Sequence, residues 1–62
     1  MTTAENIQML HEGGYQAQAM RMANAESITI EEFDDDFGGY KEFTFSDNSI
    51  FVISKSGAVN VR

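Results

Sequence analysis

Residues 40–62 read YKEFTFSDNSIFVISKSGAVNVR, and this stretch decides the fold. Phe43 and Phe45 alternate with Glu42 and Thr44, Phe51 and Ile53 with Ile50 and Val52, and Val59 and Val61 with Ala58 and Asn60. A period of two is the signature of a strand with one buried face. Asp47-Asn48 and Ser56-Gly57 punctuate the runs with turn residues, so the segment reads as an antiparallel meander with short hairpins. Phe43, Phe45, Phe51, Ile53, Val59 and Val61 then share one face, which needs a cover. Tyr40, Ile50 and Val52 fall on the other.

The cover lies upstream. Thr2 and Glu5 have the spacing of a capping box, in which each side chain satisfies a backbone N–H of the first helical turn. Ile7 and Leu10 share a face of that helix, His11 falls in its last turn, and Gly13-Gly14 ends it. A second helix is expected over residues 15–25. Tyr15, Ala19 and Met22 are at i, i+4 and i+7, and alanines are frequent. The expected class is α+β: two N-terminal helices packed on one face of a three- or four-stranded antiparallel β-meander. Residues 1–62 form one small domain.

Residues 27–37 admit two readings. As a strand, Ile28-Thr29-Ile30 is β-branched. As a helix, Thr29 would cap, Glu32 would complete the box, and Ile30, Phe33 and Phe37 would form a stripe. The strand is preferred. In a helix, Asp34-Asp35-Asp36 would fall near the negative C-terminal end, and Asp is a poor helix former.

Charge narrows the function. Ten acids against four bases give a net charge of −6, with no Cys, no Pro, no Trp and one His. Disulfide scaffolds and Cys-based zinc sites are excluded. Direct binding of nucleic acid is not expected, since phosphate contacts require Lys and Arg. No apolar run approaches a membrane helix, and no membrane partner is expected. Cytoplasmic location is the corresponding expectation.

Six of the ten acids lie between Glu26 and Asp36, and no base occurs between Arg21 and Lys41. A solvated strand edge protected by charge is one account. Calcium binding is a weaker one. Asp34, Asp36 and Gly39 fit positions of an EF-hand loop, but Phe45 stands where the bidentate Glu belongs. The third account is an acidic patch that docks on a basic partner. An extended strand rises about 3.3 Å per residue, close to the roughly 3.4 Å charge spacing of one DNA strand. The expected partner-binding residues are Glu31, Glu32, Asp34, Asp35 and Asp36, with Glu26 and Glu42 as flanks and Phe37 and Tyr40 as aromatic contacts.

Catalysis is not expected. His11 lacks a surrounding nucleophile motif and reads as a helix-end histidine, and no cofactor is implied. Met9, Met20 and Met22 with Tyr15 form either core or an adaptable binding face. Ile50, Val52 and Tyr40 on an uncovered sheet face would suit a homodimer, with the acids serving solubility only.

The short acidic chain without Cys, its acid run (Glu31 to Asp36) and its closing meander (Tyr40 to Arg62) resemble the small proteins of phages and mobile elements known as anti-CRISPR proteins. The resemblance lies in size, charge and layout over the whole chain. It implies stoichiometric inhibition of a CRISPR effector complex, first of all a type I surveillance complex, in the host cytoplasm. The implied means is DNA mimicry at a Lys/Arg-rich surface that would otherwise receive target DNA.

Overall fold

The structure, a computed structural model, describes residues 1–36 and 38–62. Among these, α1 (Thr3–Glu12) and α2 (Gln16–Glu26) precede β1 (Thr29–Phe33), β2 (Tyr40–Thr44), β3 (Ile50–Ser54) and β4 (Val59–Val61). The strands form one antiparallel sheet in the order β1-β2-β3-β4. The α+β expectation holds, with the ambiguous segment supplying a fourth strand.

Helix α1 starts where the capping box places it. The Thr2 hydroxyl accepts from the Glu5 N–H at 3.1 Å, and Glu5 Oε1 accepts from the Thr2 N–H at 2.9 Å. The β2–β3 turn adds a second set of caps. Asp47 Oδ2 accepts from the Thr3 N–H at 2.8 Å, and Ser49 Oγ accepts from the Ala4 N–H at 3.1 Å. The orphan donors of Thr3, Ala4 and Glu5 are thus met by side chains. Asp47 also places a negative charge at the positive helix end. Its hydrogen bonds to Ser49, and then those to Thr3, hold its carboxyl far below the usual range.

Helix α2 begins one residue later than expected. Tyr15 is its N-cap and remains 63% exposed, so it contributes nothing to the buried stripe. That stripe is Ala19 and Ala23, small residues that let α2 lie close against α1. They join Ala4, Ile7, Phe43, Phe45 and Phe51 in the core. His11 is buried in the last turn of α1, its ring centroid 6.4 Å from that of Phe51.

Register separates the two faces of the sheet. Phe43 lies opposite Ile30 and Phe51, and Ile53 opposite Lys41 and Val59, on the side the helices cover. The other side carries Phe33, Tyr40 and Ser54 in one row and Glu31, Glu42, Val52 and Asn60 in the next. Tyr40, Ile50 and Val52 therefore lie away from the core, as their alternation requires. Helix α1 packs over β3 and β4, and Phe43 of β2 is buried in the same core. Every residue of β1 is exposed, so β1 forms an open edge of the sheet.

Candidate functional site

The acidic residues gather on and beside this open edge. Their disposition follows from the strand itself. Glu31 and Glu32 are consecutive in β1 and so point to opposite faces. Glu31 shares the open face with Glu42, its cross-strand partner. Glu32 lies on the helical side beside its own partner Lys41, Nζ to Oε1 3.2 Å. Asp34 leaves the strand and meets Lys55 at 2.7 Å. That contact, with the charge of Asp34 behind it, raises the Lys55 ammonium above its ordinary value of 10.5. Asp35 and Asp36 follow, exposed, in the loop.

Glu42 is not an exposed flank. Arg62 reaches back across the open face, its guanidinium in contact with the Glu42 carboxylate and 5.8 Å from the centre of the Tyr40 ring. The Glu42 side chain is left only 13% exposed. Tyr40 stacks on Phe33 at 4.9 Å between centroids. Phe37, expected as the second aromatic contact, lies outside the described residues. Glu26 is exposed at the end of α2.

Among the described residues, Glu32, Asp34 and Glu42 are therefore matched by the chain's own bases. The seven carboxylates together with Lys41, Lys55 and Arg62 sum to −4. Among the described residues Glu26, Glu31 and Asp36 have no ion pair. The equal spacing with DNA phosphates does not survive the alternation. On either face of a strand, charges can recur only at twice the rise, about 6.6 Å. That is half the linear density of one DNA strand. What the fold presents is a negatively charged edge, not a line of phosphate-like charges.

Among the described residues, a cleft and a groove flank the core. A cleft of about 170 Å³ between Met20 and Ile53 is rimmed by the Glu32–Lys41 and Asp34–Lys55 pairs. It is smaller than the roughly 300–1,000 Å³ of typical ligand pockets. A shallow groove of about 440 Å³ runs between the helices, lined by Met9, Leu10, Tyr15 and Met22. The methionines thus divide. Met20 and Met22 pack on the core, while Met9 is 58% exposed. Among the described residues no three acidic or histidine side chains are placed to hold a metal ion. Among the described residues no helix is long and apolar enough to cross a membrane.

The chain matches no protein-family model, no curated protein and no solved structure.

Proposed function

We propose that this protein is a non-enzymatic acidic inhibitor that binds a basic, nucleic-acid-binding surface, with a CRISPR effector complex of type I as the first target. The observation that carries this reading is the net −4 of the seven acids and three bases on and beside the β1–β2 edge of the sheet. Such an edge suits a Lys/Arg-lined cleft. Long-range attraction accelerates the encounter, and Phe33, Ile30 and Tyr40 supply apolar contact once water is displaced. Occupation of the cleft blocks target DNA by charge and volume rather than by copying phosphate spacing.

The test is target-DNA binding by a purified type I surveillance complex with increasing amounts of the protein. The native chain should abolish DNA binding near equimolar ratio. The Glu31→Gln, Asp35→Asn, Asp36→Asn variant should lose inhibition while remaining folded, and inhibition should weaken steeply with salt. Equal inhibition by that variant, or a salt-independent effect, would remove the electrostatic reading.

The uncovered sheet face favours a second reading, a homodimeric interaction module built on Phe33, Tyr40, Ile50 and Val52. Sedimentation separates the two. Dimers that persist in high salt and disappear in Val52→Lys support the module.

A further inference from the structure

We infer that the outer edge of β1 is a strand-addition site, and that its occupant is an extended basic segment of the partner protein. The inference deepens the proposed inhibitory function and rests on it for the identity of the partner.

The phase of the ladder shows which peptide groups are on offer. Phe45 N–H bonds to the Ser49 carbonyl, and Lys55 N–H to that of Gly39. Odd-numbered residues of β2 therefore bond to β3, and even-numbered ones bond to β1. Glu42 and Tyr40 face Glu31 and Phe33. The peptide groups of Ile30 and Glu32 are left pointing outward, away from the sheet. Nothing in the helical layer covers them, since all five residues of β1 are exposed.

The side chains make this edge attractive to a strand. Ile28 is 63% exposed, Ile30 45% and Phe33 37%. Edges are ordinarily blunted by charge, above all Lys, by Pro, or by a covering element. β1 has no Lys, no Pro and no cover, and its charges are all acids. Acids repel a second copy. An antiparallel copy centred on the middle of β1 would set Glu31 directly against Glu31, and like charges in that position are destabilising. The same acids attract a basic strand. Its pattern follows from the pleat: Lys or Arg on the open face beside Glu31, and apolar residues on the opposite face beside Ile30. Main-chain bonds supply affinity in such additions, and alternate side chains supply selectivity.

The experiment uses the whole chain with a short peptide in which Lys alternates with Val. Amide exchange is followed residue by residue. At peptide concentrations near 100 times its dissociation constant, exchange at Ile30 and Glu32 should slow by about a hundredfold. A peptide alternating Glu with Val should have no effect, nor should the Lys/Val peptide interrupted by Pro. Ile30→Pro removes an outward donor and no internal ladder bond, a placement edge strands tolerate. It should stay folded and lose the peptide. Should that variant unfold, the exchange data on the native chain still decide. Peptide binding that leaves Ile30 and Glu32 unprotected overturns the inference. So does equal binding by folded Ile30→Pro, or protection of the same amides by protein concentration alone. Strand addition without inhibition of any effector complex would discard the inhibitor reading and keep the edge site. Inhibition that Ile30→Pro leaves intact would do the reverse.

Discussion

Replacing Gly39 with Ala should release β1 while the rest of the domain stays folded. Gly39 has φ +97°, a conformation that L side chains rarely adopt. A Cβ there would lie 2.2 Å from the Phe33 carbonyl oxygen and 2.9 Å from the Asp34 Cα. Both obstacles are backbone, so no side chain can swing aside. The torsion alone costs about 1–3 kcal/mol. Clearing the contact moves Phe33 away from Tyr40, and that aromatic pair contributes about 0.5–1.5 kcal/mol. The combined penalty is about 3 kcal/mol, set against ladder bonds worth roughly 1 kcal/mol each. None of the seven buried apolar core residues belongs to β1, so the loss falls on that strand alone. The assay is amide exchange at Glu31 and Phe33, whose N–H groups face β2. Their exchange should quicken by roughly a hundredfold, while Phe43 and Phe51 stay protected. Gly57→Ala is the control: φ is +95°, but no atom lies within 4 Å of the added carbon. If Gly39→Ala protects β1 as well as Gly57→Ala does, the close approach to Phe33 is not what makes glycine necessary. If Phe43 and Phe51 lose protection together with β1, the strand is no independent edge.

Other perturbations address the core and the helix cap. Phe51→Ala should cost about 3–5 kcal/mol. That is comparable with the whole stability of a domain this size, about 3–9 kcal/mol, so cooperative thermal unfolding should be lost. Ser49→Ala leaves the Ala4 N–H without its acceptor inside the fold and should cost about 1–3 kcal/mol, read from the denaturant midpoint. Asp47 and Glu5 both titrate below their ordinary values of 3.8 and 4.5 in the folded chain, Asp47 chiefly through Ser49 and Glu5 chiefly through the Thr2 backbone. Their contribution is complete above those values and is lost as pH falls below them. Asp47→Asn should flatten the acid limb of a stability–pH curve, and an unchanged limb would exclude Asp47 as its source.

The fold was largely legible because its signals are local. Alternation in β2, β3 and β4 needs only neighbouring residues, and the Thr2–Glu5 box lies within one turn. The strand at residues 29–33 was legible for a reason of charge: a helix there would have gathered Asp34, Asp35 and Asp36 at its negative end. The limits of α2 were less so. Tyr15 fits the helical period as a letter, but at the cap its direction is not set by that period.

The candidate site was legible as composition and not as geometry. The acid run identifies where negative charge accumulates. It carries no record of Lys41, Lys55 and Arg62, which are distant in sequence from Glu32, Asp34 and Glu42 and meet them only through strand register and hairpin closure. Asp47 shows the same limit in reverse: it reads as a turn residue, yet it caps a helix that begins 44 positions earlier.

Residue order by itself therefore determined the elements, their handful of turns and the face each strand buries, because these depend on interactions a few residues long. Only the folded chain decided how much of the acid run remains unbalanced, that Glu31 and Glu32 part company across the pleat, and that one edge of the sheet stands open. Those outcomes depend on which distant groups are brought within a few ångströms of each other.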